Sequence, residues 1–261
     1  MGAKIRANIS DAKGIGSDRN GDILIEVKHL KKSFGNNEVF KDFSLALEKK
    51  ENLVVLGKSG SGKSVLIKCM VGLIDADEGE ILVMGEDIEK LNEKALNVLR
   101  KKIGFLFQSA ALYDSMTVGE NLAFPLRGNK ELSDEERNAL VEESLENVGL
   151  KDVIDKMPSE LSGGMRKRIG LARTLILKPE IVLYDEPTTG LDPITAKEIS
   201  ELILEIREKY QTSSIIITHD LACAKIVSDR IVIIHEGVCA AIGTYETLQN
   251  SEDKWVRSFF E

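Results

Sequence analysis

The spacing of apolar and polar residues divides the chain into strands and helices before any motif is considered. Residues 22–30 (DILIEVKHL) alternate with period two and 43–47 (FSLAL) do so again, which predicts two half-buried strands. Residues 52–56 (NLVVL), 103–107 (IGFLF), 181–184 (IVLY), 214–218 (SIIIT) and 230–235 (RIVIIH) are short, mostly apolar runs. Such runs predict strands buried on both faces, as in parallel sheets. Between them the period changes. Residues 64–73 read as a helix, and Ser133 with Glu136 forms a capping box ahead of an acidic helical stretch that runs to Leu150. Asp192-Pro193 starts a helix with Ile199, Leu202, Ile203 and Ile206 on one face. From about 109 to 178 there is no strand pattern. The expectation is an α/β fold: a mostly parallel sheet covered on both faces, with a helical insertion. No internal repeat or low-complexity segment is present.

Composition narrows the class. A chain of 261 residues with 43% hydrophobic and 30% charged residues predicts a well-cored globule rather than a disordered chain. Its net charge of −8 argues against nucleic acid as the main partner, because counterion release needs a basic surface, although a local patch would escape this number. The longest charge-free run, 103–113, falls short of the roughly 20 residues that span a bilayer. Residues 1–22 have no apolar signal core and read as a mobile polar leader, and Arg6 stands where a myristoylation pattern needs Ser or Thr. Cys69, Cys223 and Cys239 are odd in number and lack CxxC spacing, which predicts reduced thiols rather than a disulfide framework or metal site.

Candidate chemistry begins at Gly57-Lys58-Ser59-Gly60-Ser61-Gly62-Lys63-Ser64, which fits G-x-x-x-x-G-K-[ST] between a strand and a helix. The glycines allow a tight turn whose N–H groups cradle a phosphate, and the helix N-terminus adds partial positive charge. Lys63 is expected to bridge the β- and γ-phosphates of a nucleotide, and Ser64 to coordinate Mg²⁺. The apolar run at 181–184 ends in Asp185 and Glu186. Beside a phosphate loop these predict a metal-holding carboxylate and a carboxylate that polarises the attacking water.

A second glycine pair follows in LSGGMRKRIGLAR, residues 161–173. Ser162, Gly163 and Gly164 are expected at the start of a helix continuing through Leu177, where a hydroxyl and amides could face an anion. No lysine or metal ligand accompanies them, so the half-site is useful where another surface brings the phosphate; a glycine-rich helix cap is the plain alternative. This stretch resembles the LSGGQ signature of ATP-binding cassette (ABC) ATPases, with Met165 where glutamine is usual. Arg166, Lys167 and Arg168 then read partly as flank and partly as solvated helix face.

The resemblance covers about 23 to 245 and implies a RecA-like P-loop NTPase core, an antiparallel N-terminal β-subdomain and an inserted α-helical subdomain. It divides the chain into a 1–22 leader, a nucleotide-binding core of 23–108 and 179–245, the insertion at 109–178 and a 246–261 tail. Phe34 resembles the aromatic that stacks on adenine, though an ordinary core Phe fits as well. Gln108 matches the Q-loop glutamine, which contacts Mg²⁺ or water. Gly190-Leu191-Asp192 matches the D-loop that crosses the dimer interface, and His219 matches the switch histidine that holds the γ-phosphate. His29 and His235 match nothing in the family and read as structural. The resemblance implies ATP and Mg²⁺ as cofactors, hydrolysis of ATP, and a head-to-tail dimer of two copies.

Soluble ABC proteins of DNA repair or translation resemble chains with long coiled-coil insertions or tandem cassettes, so a transporter subunit is favoured. Residues 108–127 (QSAALYDSMTVGENLAFPLR), with LSGGM and DEPTTGLDPIT, are similar to the ATPases of Mla/Mce-type phospholipid transporters. The likeness extends to Trp255-Val256-Arg257-Ser258-Phe259-Phe260. It implies a permease partner, an Mce-domain lipid-binding protein in the complex, and a peripheral place on the cytoplasmic face of the inner membrane. Ala110 to Tyr113 and Phe124-Pro125-Leu126 are expected to line the groove that receives the permease. Amino-acid importer and cell-division ATPases share most of these motifs, so another cargo stays open. Some relatives carry a longer tail that embraces the second ATPase and an accessory protein; such an assembly is not expected of a sequence that stops at Glu261.

Overall fold

The computed structural model describes residues 23–129 and 131–261; the leader expected over 1–22 lies outside the described residues. In chain order the elements are β1 (Ile23–Phe34), β2 (Asn37–Glu48), β3 (Asn52–Leu56), α1 (Lys63–Met70), β4 (Glu78–Val83), β5 (Glu86–Asp87), α2 (Glu93–Arg100) and β6 (Ile103–Leu106). Then come α3 (Val118–Ala123), α4 (Asp134–Glu146), α5 (Gly163–Leu175), β7 (Ile181–Asp185), α6 (Pro193–Tyr210) and β8 (Ser213–Thr218). The chain continues through α7 (Leu221–Val227), β9 (Arg230–His235), β10 (Val238–Gly243), α8 (Tyr245–Gln249) and α9 (Lys254–Arg257).

The strands form one sheet in the order β5-β4-β1-β2-β10-β9-β3-β8-β7-β6. Strands β9, β3, β8, β7 and β6 run parallel, as the apolar runs predicted. Strands β5, β4, β1 and β2 are antiparallel to their neighbours, and β10 joins the halves through a single parallel pair, Val238 opposite Asp42.

Every residue of β3, β7 and β8 is buried because both faces of the sheet are covered. Alternate residues serve opposite layers. Val54, Leu56, Val182, Tyr184 and Ile216 pack against Leu171, Leu175, Ile199, Ile203 and Val227 of the helices. Leu53, Val55, Leu183, Ile215 and Ile217 pack against Leu66, Ile67 and Met70 of α1, and against Ile25, Val27, Phe40 and Phe43 of the antiparallel strands. That second layer is therefore part helix and part sheet. Each such side chain contributes about 1.5–3 kcal/mol by leaving water.

β1 and β2 run to 12 residues each, well past the alternation that announced them. Register shifts between Val27 and Lys32, with His29 at φ 52, break the period while the ladder continues. Among the described residues, 107–180 hold no strand. The capping box of α4 forms, with Ser133 N donating to Glu136 Oε2 (2.8 Å) and Glu136 N to Ser133 Oγ (3.2 Å). α6 starts at Pro193 and buries Ile199, Leu202, Ile203 and Ile206. The signature helix α5 ends at Leu175, two residues before the expected Leu177. All three cysteines are free, and none of the described helices is long and apolar enough to cross a membrane.

Candidate functional site

The register of the parallel strands gathers the motifs. Leu106 lies opposite Tyr184, Asp185 opposite Ile217, and Leu56 opposite Thr218. Four strands thus end level, and the residues at or just beyond their ends are Gln108, Asp185-Glu186, His219 and Gly57. Carboxyl ends of parallel strands are where open α/β sheets hold ligands.

Within the loop at 57–64, close packing explains the glycines. A Cβ at Gly57 would sit 2.5 Å from Ser61 Oγ, and one at Gly62 would sit 2.3 Å from Val39 Cγ1. Gly60 and Gly62 have φ of 79 and 93, a left-handed conformation that glycine adopts without strain. Lys63 is 6% exposed and its Nζ donates to Gly57 O (2.7 Å) and Lys58 O (3.1 Å). Ser61 Oγ is buried with no partner of its own. A cradle of this shape, with a buried ammonium and an unpaired hydroxyl, fits a polyphosphate.

Ser64 Oγ donates to Asp185 Oδ1 at 3.0 Å, bringing two hard oxygen donors together. That donor pair fits Mg²⁺, which takes one or two protein oxygens and completes its shell with water and substrate phosphates. Burial raises Asp185 above the usual carboxylate range; the Ser64 hydrogen bond opposes this and the neighbouring Glu186 charge adds to it.

Glu186 has a φ of 51 and its carboxylate is held from several sides. His219 Nδ1 lies 2.8 Å from Oε2, Thr189 Oγ1 donates to Oε2 at 3.1 Å, and Lys63 Nζ is 3.6 Å from Oε1. The glutamate, the histidine and the phosphate-loop lysine therefore form one cluster. His29 is an exposed partner of Asp42, and His235 packs at a tilt against Trp255, so neither joins it.

The glycine pair lies apart. Ser162 caps α5, its Oγ accepting from Met165 N at 3.3 Å, which leaves the hydroxyl proton to donate elsewhere. The atoms nearest a Cβ at Gly163 and at Gly164 belong to Leu191 and Thr195, beside the D-loop of the same chain. Asp192 Oδ1 accepts from Ile194 N and Thr195 N, so it caps α6. None of these partners belongs to the loop at 57–64. Phe34 is 48% exposed with Lys32 Nζ 5.3 Å from its ring centre, which removes the core-Phe alternative.

Two expectations need correction. Lys167 is not on a solvated helix face: it is 6% exposed, and its Nζ donates to the backbone oxygens of Gln108 and Glu186. Arg168 is half-buried and bonds Val148 O and Glu198, which leaves only Arg166 on the exposed face. In the expected groove, Tyr113 and Phe124 are exposed with ring centres 4.7 Å apart, whereas Ala110 (2%) and Leu126 (3%) belong to the core. The helical period carried a signal for Lys167, since it shares its stripe with buried Leu171 and Leu175.

A family model described as ABC transporter matches residues 40–189. The chain belongs to the ABC transporter family. It is a transport ATPase of that family. This ABC chain is 41% identical over 237 residues to the probable ribonucleotide transport ATP-binding protein of Mycobacterium leprae, covering 91% of this chain and 68% of that one. It is 38% identical over 238 residues to the intermembrane phospholipid transport system ATP-binding protein MlaF of Haemophilus influenzae, covering 91% and 90%. Among solved structures it resembles the ATP-binding cassette MJ0796 in a dimeric post-hydrolysis state bound to ADP and Pi. There the TM-score is 0.77 with 29% identity, over 84% of this chain and 98% of that one.

Proposed function

We propose that two copies of this ABC ATPase close head to tail on two Mg-ATP and so drive a membrane permease, with phospholipid as the cargo. In this reading 23–108 and 179–245 form the nucleotide-binding core, 109–178 the helical subdomain and 246–261 a tail. The chain works at the cytoplasmic face of the inner membrane, with Tyr113 and Phe124 toward the permease and an Mce-domain protein in the same complex. The observation that carries the proposal is the split between a complete phosphate cradle at 57–64 and a capped but ligand-poor glycine pair at 162–164, whose neighbours are Leu191 and Thr195.

The chemistry follows from the cluster. A water oxygen bonds to the γ-phosphorus as the bond from that phosphorus to the β-bridging oxygen breaks. Glu186 orients the water and accepts its proton, with Thr189 and Lys63 keeping the carboxylate in place. Lys63 exchanges its two loop carbonyls for phosphate oxygens, and His219 turns from Glu186 to the γ-phosphate. Phe34 stacks on adenine, and Gly57, Lys58, Ser59, Gly60, Ser61 and Gly62 supply the nest. Ser64, Asp185 and Gln108 would hold Mg²⁺, which would supply positive charge against the phosphates. Ser162, Gly163 and Gly164 of one copy, with Asp192 at the interface, cover the γ-phosphate held by the other.

Glu186→Gln is the test. It is expected to bind ATP, lose at least about 100-fold in turnover, and accumulate as a dimer with Mg-ATP that Ser162→Arg abolishes. A variant that stays monomeric with ATP bound contradicts the closed pair. A second cargo is favoured by the relative named for ribonucleotide transport at 41% identity. Reconstitution with the permease decides between them: stimulation of turnover by phospholipid supports the first reading, and stimulation by ribonucleotide alone replaces it.

A further inference from the structure

We infer that Lys167 is a positioning residue that fixes the Gln108 loop and Glu186 relative to each other by donating to a backbone carbonyl of each. The inference rests on the reading of Gln108 and Glu186 given above. It starts from a buried charge where the helix periodicity calls for an apolar side chain. An ammonium has three donors, and here two of them serve Gln108 O and Glu186 O, the latter at 3.1 Å. Burial pushes Lys167 down to about 8, while the charges of Asp185 and Glu186 hold it up. A buried lysine that spends two donors on these carbonyls is poorly explained by packing, which an apolar residue of similar volume would serve as well or better.

One carbonyl belongs to left-handed backbone and the other lies two residues before another such stretch. Glu186 has φ 51, and Ala110 and Ala111, just past Gln108, have φ 61 and 46. Left-handed non-glycine residues are strained and persist only where neighbours hold them. The same helix supplies two further constraints. Arg173 Nη2 donates to Ala110 O at 3.0 Å, and Gly170 lets Ala110 approach, since a Cβ there would lie 2.8 Å from Ala110 Cβ. Lys167, Gly170 and Arg173 follow at intervals of three, so the loop lies along one side of α5. The helix that begins at Ser162–Gly164 thus reaches both Gln108 and Glu186 through one ammonium. A shift of its N-terminus is felt at both.

The test compares wild type, Lys167→Met and Lys167→Arg by steady-state ATPase, mant-ATP binding, thermal melting and hydrogen exchange. Lys167→Met is expected to lower kcat about tenfold or more with mant-ATP affinity changed less than about twofold, because the lost contact acts on geometry rather than binding. Exchange should accelerate in a peptide covering 107–112 and stay unchanged at 181–184. Lys167→Arg, which still donates to two acceptors, should recover most of kcat. A Lys167→Met protein that melts lower yet keeps wild-type kcat and exchange at 107–112 overturns the inference, since that is a packing role only. If this variant does not fold, Lys167→Gln is judged by the same readouts. Glu186→Gln runs beside them. Normal turnover there removes the underlying reading, whereas lost turnover there with normal Lys167→Met removes this inference alone.

Discussion

Alanine at position 164 would place its Cβ 2.6 Å from Cγ2 of Thr195, about 1 Å inside ordinary carbon contact. The obstructing methyl cannot turn aside cheaply. Thr195 is β-branched, sits in the first turn of α6, and donates through Oγ1 to Asp192 Oδ2 at 2.6 Å. Overpacking of this kind costs about 1–3 kcal/mol. Alanine's better helix propensity returns about 0.5–1 kcal/mol, so Gly164→Ala should destabilise by up to roughly 2.5 kcal/mol. Thr195→Ser keeps the hydroxyl and removes the methyl, and the nearest remaining Thr195 atom, Cβ, is 3.9 Å away. In that background Gly164→Ala should be neutral or mildly stabilising, a coupling of about 1–3 kcal/mol between the two sites. Urea denaturation of the four proteins measures it. Equal destabilisation in both backgrounds would refute the steric argument. The double variant also separates packing from ligand binding. If the signature glycine must also admit a nucleotide, turnover should stay at least about tenfold low after stability is restored.

Three further expectations follow from single sites. Asn121 is wholly buried, accepts from Tyr113 N, and donates to the carbonyls of Tyr113, Met116 and Thr117. Asn121→Ala should therefore cost about 2–3 kcal/mol in urea unfolding, and an unchanged midpoint contradicts this. Burial pushes the Cys223 thiol up to about 11 from 9.0, so the native state holds its proton where the unfolded chain has lost it. That contribution is complete below pH 9 and is lost as pH rises toward 11, by at most about 2–3 kcal/mol. Wild type should accordingly lose more stability than Cys223→Ala across that window, and parallel profiles would argue against it. Ser64→Ala removes the donor to Asp185. Turnover should fall at least about tenfold and need more Mg²⁺, while unchanged Mg²⁺ dependence would take Ser64 out of the metal site.

Much of this was legible in the sequence because short apolar strands followed by glycine, acid or histidine carry both fold and site. The 52–56 and 230–235 runs match β3 and β9 residue for residue. What stayed hidden has physical causes. β4, β5, α2 and β10 are short and mixed in polarity, and β4 and β10 are placed partly by pairing with the distant β1 and β2. Lys167 looked like one of three solvated cations because its neighbours Arg166 and Arg168 are basic; only its place on a buried stripe set it apart. Ala110 and Leu126 were grouped with Tyr113 and Phe124 by apolarity, which does not distinguish core from exposed groove. The helix start at Asp192 was legible from Asp192-Pro193, and in this chain both Ser162 and Asp192 cap helices.

The central claim is that each nucleotide is completed by two copies, and mixing two inactive variants tests it most directly. Lys63→Ala disables the phosphate loop of one copy, and Ser162→Arg disables the signature of the other. Each variant alone has no intact composite site. In the mixed dimer, the Ser162→Arg copy's loop faces the Lys63→Ala copy's signature, and both are intact. Neither variant closes on itself, so turnover should return from mixed dimers alone, each with one working site, and reach at most about half that of wild type. A mixture no more active than the two variants apart, under conditions where wild type forms its ATP dimer, would contradict the account.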